Sequence, residues 1–142
     1  MTEENLEVVR QIYEQSLLDR DPEGLLALAT PDVEWVNPPE AVDPGVRHGK
    51  AEVAKAIRNM TDSFDTQRHE LHQVFEAQDA VVAWVSFRTR SRGSDSEVVQ
   101  REAHTWTLRE GRVARYEWGR DLEQALAAVG LRPVSGGEGL QP

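Results

Sequence analysis

The segment that most constrains the fold is residues 80–90, AVVAWVSFRTR, in which apolar and polar side chains alternate toward the end. In an extended chain, Val81, Val85 and Phe87 fall on one side and Arg88 falls on the other. A period of two residues is typical of a β-strand with one buried face. Such a strand needs neighbouring strands for its backbone hydrogen bonds and a second layer to cover its apolar face.

Three further segments are expected to pair around this strand. Residues 68–77 form a more polar strand, and residues 98–109 alternate again. Residues 112–118 follow a tight turn at Glu110-Gly111. Short turns join antiparallel neighbours, so the second half of the chain predicts a four-stranded antiparallel meander.

Helical periodicity dominates the first half of the chain and returns after the strands. The predicted helices are residues 3–19, a short helix after Asp21-Pro22, residues 50–64 and a last short helix capped by Asp121. A strand at residues 33–37 interrupts them, and a proline-rich loop follows it. Helices placed before an antiparallel sheet predict an α+β layer fold. We expect a single domain over residues 1–134 and a flexible tail over residues 135–142.

The charge and the composition exclude several kinds of partner and site. The net charge is −9 and the isoelectric point is about 4.9, which disfavours nucleic acid and anionic membrane surfaces. The chain has no cysteine, so disulfides and zinc–sulfur sites are excluded. The sequence contains neither a signal-peptide pattern nor an apolar run that could span a bilayer. We therefore expect a cytoplasmic protein.

Two stretches carry a resemblance to the NTF2-like superfamily, and within it to the SnoaL-like and ketosteroid-isomerase-like proteins. They are ENLEVVRQIYEQSLLDRDPEGLLALATPDVEWVNPPE near the start and AHTWTLREGRVARYEWGRDLEQALAAVGL near the end. The resemblance covers residues 3–131. It implies a cone in which a curved antiparallel sheet wraps around three N-terminal helices, with a hydrophobic pocket open at one end. It also implies a homodimer through the outer sheet face, but no single activity, because such folds host many functions.

The resemblance further implies three candidate catalytic positions. Tyr13 falls at the oxyanion-holding tyrosine of ketosteroid-isomerase-like members, and His104 falls at their second oxyanion donor. Asn37 stands where those members have an aspartate base, and Trp118 stands where SnoaL-like polyketide cyclases have a catalytic aspartate. An amide cannot act as a general base near neutral pH. Asn37 is therefore expected to orient a ligand, while His104 is the residue that could move a proton.

Alternation along the strands gives the expected walls of the pocket. The residues expected to bind the ligand are Trp35, Phe87, Trp106, Leu108, Tyr116 and Trp118. Trp84 is expected on the outer face, in a dimer contact. His69 and His72 lie three residues apart on a predicted strand and so point to opposite faces. We expect no metal site and no cofactor. Glu102 is interpreted as a surface partner of nearby arginines.

Three functions remain open at this point. The first is a cofactor-free enzyme that acts on a hydrophobic cyclic or carbonyl metabolite by general acid–base chemistry, of the isomerase, cyclase or dehydratase type. In it, His104 would move the proton, and Tyr13 and Asn37 would hold the oxygen. The second is a non-catalytic dimer that binds a hydrophobic ligand, and the third is a structural dimer module. A carboxylate next to His104 favours the enzyme, apolar neighbours favour the binding protein, and a filled interior favours the structural module.

Overall fold

The computed structural model describes residues 2–133 and 140–141. Its helices are α1 (Thr2–Glu14), α2 (Leu17–Arg20), α3 (Pro22–Ala27), α4 (Gly49–Asp62) and α5 (Leu122–Ala128). Its strands are β1 (Ala29–Asn37), β2 (Gly45–His48), β3 (Phe64–Glu76), β4 (Ala80–Ser91), β5 (Val98–Arg109), β6 (Arg112–Gly119), β7 (Arg132–Pro133) and β8 (Leu140–Gln141). The predicted α+β fold class is confirmed. The predicted tail, 135–142, lies outside the described residues except for β8, which pairs with β7.

One sheet contains the first six strands, in the order β2-β1-β6-β5-β4-β3. The meander from β3 to β6 is antiparallel, as predicted. Strand β1 instead runs parallel to β6, because no short turn joins these two strands and their relative direction is therefore free. The prediction missed β2, whose four residues lie in the expected loop and show no apolar alternation.

The first predicted helix is divided in the structure. Ser16 has a φ of 53°, a left-handed conformation that ends α1 and starts a new turn as α2. Helix α3 is capped as predicted, because the backbone N–H of Gly24 donates to Asp21 Oδ1 at 2.9 Å. The division at Ser16 matters for the site, because α2 carries Asp19 to strand β3.

The main core lies between the inner face of the sheet and helices α1 to α4. Its buried members include Ile12, Leu18, Ile57, Val85 and Trp106. Strand β3 has a bulge between Leu71 and Gln73, so that its inward and outward residues exchange beyond this point.

A second, smaller cluster lies on the outer face of the sheet, under α5. Leu126 of α5 packs with Val82 and Ala103 of the sheet. Trp84 faces outward, as predicted, and it packs beside this cluster. Helix α5 therefore covers part of the outer sheet face that was expected to form the dimer interface. Within residues 2–133 and 140–141, no helix combines the length and the apolarity needed to cross a membrane.

Candidate functional site

Five polar side chains lie together between the sheet and the helices, and we name them the polar cluster: Tyr13, Asp19, His69, Glu102 and His104. His104 is completely buried, and the side chains of Asp19, His69 and Glu102 are only 2–5% exposed. Buried polar groups are costly unless they are hydrogen-bonded. Every member of the polar cluster bonds to at least one other member.

His104 is the centre of the polar cluster. Its Nδ1 lies 2.6 Å from the Tyr13 hydroxyl, and its Nε2 lies 2.8 Å from Glu102 Oε1. Glu102 and His104 are two residues apart on β5 and so share a face of the strand. Tyr13 reaches them from α1, 91 residues earlier in the chain.

The hydrogen bonds determine where the protons of Tyr13, His104 and Glu102 lie. Trp106 Nε1 can only donate, and it lies 2.9 Å from the Tyr13 oxygen. The Tyr13 hydroxyl therefore accepts from Trp106 and donates its own hydrogen to His104 Nδ1. His104 Nδ1 is then an acceptor, and its Nε2–H donates to Glu102. We assign this tautomer from the network of donors and acceptors.

Burial shifts the pKa values of Tyr13 and His104. Burial raises the pKa of Tyr13 well above 10.0, against the hydrogen bond from Trp106. Burial also lowers the pKa of His104 from its usual 6.5, and the hydrogen bond to Glu102 opposes this only in part. At neutral pH, Tyr13 thus keeps its proton and His104 is a neutral base.

His69 is held by a carboxylate in the same manner as His104. Its Nδ1 lies 2.7 Å from Asp19 Oδ1, and its backbone N–H donates to Asp19 Oδ2 at 2.8 Å. Gln67 Nε2 adds a third bond to Asp19, at 2.7 Å. Burial opposes the ionisation of Asp19, but the bonds from His69 and Gln67 outweigh it, and the pKa of Asp19 is lowered from 3.8. The His69 Nε2 atom faces Glu102 Oε1 at 3.9 Å.

The polar cluster approaches the surface at a ring of half-buried side chains that we name the rim: Phe64, Phe87, Gln100 and Trp118. Gln100 Nε2 donates to Glu102 Oε2 at 2.7 Å. The Phe87 ring stacks on His69 with their centroids 4.1 Å apart, and it meets Phe64 edge to face. Side chains of the rim thus contact both Glu102 and His69 of the polar cluster.

Asn37 does not join the polar cluster. Its Oδ1 accepts from Trp35 Nε1 at 2.7 Å and from Trp118 Nε1 at 2.8 Å. Its Nδ2 donates to the backbone carbonyl of Asp43 at 2.8 Å. Asn37 thus holds the loop 38–44 beside Trp118 of the rim through these hydrogen bonds. The structure brings Tyr13 and His104 together but leaves Asn37 in a separate network.

Replacing Asn37 with alanine is expected to lower the free energy of unfolding by about 1–3 kcal/mol, because the indole N–H groups of Trp35 and Trp118 lose their acceptor. The comparison variant is Asn37→Asp, which keeps that acceptor but loses the bond to Asp43 and places a carboxylate oxygen against the Asp43 carbonyl. Urea denaturation followed by tryptophan fluorescence measures both variants. An alanine variant as stable as the wild type would show that solvent replaces the amide at no cost.

The stability of the protein is expected to fall as the pH is lowered from 7.5 to 5.5. Because the pKa of His104 is lowered in the folded state, the unfolded chain takes up a proton below about pH 6.5 while the folded chain does not. The contribution reaches at most about 1.4 kcal/mol per pH unit. Chemical denaturation at several pH values gives the slope of the unfolding free energy against pH. The difference between the slopes of wild type and His104→Asn is the contribution of His104. Equal slopes would contradict the lowered pKa.

The side chains predicted to line a pocket lie mostly inside the main core. Trp35, Trp106, Leu108 and Tyr116 are 1–5% exposed, and the Tyr116 ring lies 4.5 Å from the rings of both Trp35 and Trp106. The other two predicted ligand-binding residues, Phe87 and Trp118, belong to the rim.

Two clefts open on the surface away from the polar cluster. One, of about 550 Å³, lies beside Glu34, His48 and Arg115. The other, of about 420 Å³, lies beside Asn5, Asp79 and Thr107. Neither is lined by a residue of the polar cluster or the rim.

Sequence analysis missed three members of the polar cluster: Asp19, His69 and Glu102. The interpretation of Glu102 as a surface partner of arginines was wrong, because this residue is buried and bonds to His104 and Gln100. Alternation along β5 already places Glu102 on the face of His104, and this signal could have identified it. His69 and His72 do point to opposite faces, since His72 bonds to Ser86 on the outside.

The polar cluster also departs from the expectation that no metal-ligating set exists. His69, Glu102 and His104 each offer one ligand atom, and these atoms all lie within 4.8 Å of one another. Alternation along β3 and β5 cannot reveal this grouping, because the two strands are not neighbours and β4 lies between them in the sheet.

The comparisons with known proteins agree with this architecture. The family model for the SnoaL-like domain matches residues 9–116. No curated protein is similar enough in sequence to count as a match. An NTF2-like protein of unknown function from Burkholderia pseudomallei has 25% sequence identity and a TM-score of 0.73, over 89% of this chain and 98% of that one.

Two other solved structures are similar and contain small molecules. TerC, co-crystallized with polyporic acid, has 26% identity and a TM-score of 0.72, over 89% of this chain and 97% of that one. A hypothetical protein with a ketosteroid isomerase-like fold from Catenulispora acidiphila, in complex with trimethylamine, has 15% identity and a TM-score of 0.71. It matches over 87% of this chain and 92% of that one. The fold implied by the resemblance is confirmed.

Proposed function

This chain belongs to the SnoaL-like domain family, and we propose that it is a small-molecule enzyme that moves protons without a cofactor. Its substrate is a hydrophobic cyclic or carbonyl-bearing metabolite, and its reaction is of the isomerase, cyclase or dehydratase type. The observation that carries the proposal is the Glu102–His104–Tyr13 arrangement, a base oriented on one side by a carboxylate and bonded on the other side to a hydroxyl. Such an arrangement is the general pattern of an activated hydroxyl.

The proton path follows from the assigned tautomer. A substrate proton passes to the Tyr13 oxygen while the hydroxyl hydrogen of Tyr13 passes to His104 Nδ1. The resulting imidazolium keeps its Nε2–H on Glu102, which stabilises the positive charge. The reverse transfer returns a proton to another atom of the substrate, so that the enzyme is unchanged after each cycle.

His69 supplies a second proton-transfer group in this proposal. Asp19 orients its ring through Nδ1, so that the lone pair of Nε2 is directed into the polar cluster. An isomerisation or a dehydration needs a proton to leave one atom and a proton to reach another. Two imidazoles that are each held by a carboxylate can share these tasks. Asn37, which the sequence placed among the oxygen-holding residues, acts here by fixing the loop beside the rim.

The substrate class is supported by the residues around the polar cluster. Phe64, Phe87 and Trp118 present aromatic surface at the rim, and Gln100 is the polar residue among them. A flat hydrophobic molecule with one or two oxygens suits such a lining. The similarity to TerC, at 26% identity, makes polyporic acid a reasonable first ligand to test.

The experiment measures proton exchange rather than turnover of a named substrate. A panel of cyclic ketones is incubated with the protein in D₂O, and NMR follows the exchange of hydrogens on the carbon beside each carbonyl. Polyporic acid is tested for binding alone, because no carbon beside its carbonyls carries a hydrogen. We expect faster exchange for at least one ketone and a loss of about 10²–10⁴-fold in His104→Asn. The matched control is His48→Ala, because His48 is exposed and lies outside the polar cluster.

Equal exchange rates in wild type and His104→Asn would overturn the proposed role of His104. Binding without any exchange would instead favour the alternative function, a non-catalytic dimer that binds a hydrophobic ligand. The near-complete burial of Tyr13, His104 and Trp106 counts against the enzyme, because a catalytic group must reach its substrate, and a filled interior favours the structural dimer module. In either case we propose a homodimer through the part of the outer sheet face that α5 leaves open, which sedimentation measurements test.

A further inference from the structure

Three ligand atoms face one another inside the polar cluster: His69 Nε2, Glu102 Oε1 and His104 Nε2. We propose that they form a site for one divalent cation of the zinc type. Imidazole nitrogen and carboxylate oxygen are common zinc ligands, and two histidines with one carboxylate leave a further position for water or an oxygen-bearing ligand. The proposal does not depend on the proposed enzyme activity, because binding can be measured without any substrate.

The spacing of the three atoms is close to that of a coordinated cation. Glu102 Oε1 lies 2.8 Å from His104 Nε2 and 3.9 Å from His69 Nε2. Zinc bonds of about 2.0–2.2 Å in tetrahedral geometry place neighbouring ligand atoms roughly 3.3–3.6 Å apart. The two measured distances lie on either side of this range. A cation would therefore require Glu102 to shift from His104 toward His69 by about half an ångström. The two histidine ligand atoms, which lie within 4.8 Å of each other, would have to approach by up to about 1.2 Å.

Neighbouring side chains already orient the three proposed ligands, through atoms other than those that would bind the cation. Asp19 bonds to Nδ1 of His69, Tyr13 bonds to Nδ1 of His104, and Gln100 bonds to the second oxygen of Glu102. Metal-binding histidines usually bond to a carboxylate or another polar group through the nitrogen that does not bind the metal. No lysine or arginine bonds to Glu102 or Asp19 in the described part of the chain, so no side-chain cation competes for the two carboxyl groups.

Binding has a defined structural consequence. The single ring hydrogen of His104 must move from Nε2 to Nδ1 by exchange with solvent, so that the ring stays neutral, and the hydroxyl hydrogen of Tyr13 must turn away from the ring. His104 Nδ1 then donates to the Tyr13 oxygen, which reverses the present hydrogen bond. A bound cation therefore occupies the atoms on which the proposed proton transfer depends, and we expect zinc to inhibit any such activity.

The test is calorimetric titration of the full chain with zinc chloride at pH 7.5, after treatment with a chelator. We expect one cation per chain, and binding at least about tenfold weaker in Glu102→Gln and Asp19→Asn. The matched controls are His72→Ala, on the outer face of the same strand, and His48→Ala, at the surface. Both should bind zinc like the wild type. Circular dichroism shows whether each variant is folded.

A second measurement needs no variant of the polar cluster. In ¹⁵N-labelled wild-type protein, cobalt(II) should shift or broaden the ring signals of His69 and His104 most strongly, ahead of those of the other two histidines. No binding of zinc or cobalt would overturn the proposal. Binding that is lost in His48→Ala or His72→Ala, or cobalt effects centred on these two residues, would also overturn it. None of these results would affect the metal-free proton exchange.

Discussion

Replacing Tyr13 with phenylalanine is expected to lower the free energy of unfolding by about 2–6 kcal/mol. The hydroxyl accepts from Trp106 and donates to His104. Its removal leaves one buried donor and one buried acceptor without partners. Each such group costs about 1–3 kcal/mol, and water cannot replace the hydroxyl easily in a site where His104 and Trp106 are at most 1% exposed.

The chain provides a matched control for this variant in its only other tyrosine, Tyr116. Tyr116 is also buried, and burial raises its pKa well above 10.0 as well. The described part of the chain gives its hydroxyl no hydrogen-bond partner, so Tyr116→Phe should change the stability by less than about 1 kcal/mol. Chemical denaturation compares the two variants. Equal losses of stability in the two variants would mean that the hydrogen bonds of the Tyr13 hydroxyl do not stabilise the fold.

The second large effect is expected for Asp19→Ala, which should cost about 3–5 kcal/mol. The carboxylate accepts from the His69 ring, from the His69 backbone N–H and from Gln67. Removing one partner of a buried, hydrogen-bonded pair leaves the others unsatisfied, which is strongly destabilising. It also releases α2 from β3, because all three of these bonds join the two elements. Urea denaturation measures the loss.

The control for Asp19→Ala is Asp32→Ala at the surface. Asp32 pairs with Arg109, and both side chains are more than half exposed, so this variant should change the stability little. The pH dependence provides a further check. Because the pKa of Asp19 is lowered, its contribution is fully present above about pH 4 and is lost as the pH falls through the lowered value. An Asp19→Ala variant as stable as Asp32→Ala would contradict this account.

The sheet and most helices were predictable because they depend on local pattern. Alternation identified β4, β5 and β6, and the aspartate caps identified the starts of α3 and α5. The division at Ser16 was not predictable, because the apolar spacing of residues 3–19 continues through it. The parallel direction of β1 was equally hidden, since it is set by packing and not by a turn.

The candidate site was predictable in part, for a similar reason. Alternation placed His104 and Trp106 inward, and helical spacing placed Tyr13 inward. The contacts of Tyr13 with these two residues could therefore be predicted from the sequence. Asp19 was not, because its position depends on the left-handed turn at Ser16. Glu102 was misassigned because charged residues are usually exposed, and only its bonds in the folded chain explain why it is buried.

The proposed proton path depends most directly on the protonation of His104. Histidine labelled with ¹⁵N allows NMR to observe which ring nitrogen carries hydrogen at pH 7. We expect His104 to be neutral, with its hydrogen on Nε2, and to stay neutral below pH 6.5. A charged ring at pH 7, or a neutral ring with its hydrogen on Nδ1, would contradict the Glu102–His104–Tyr13 arrangement and the proton path built on it.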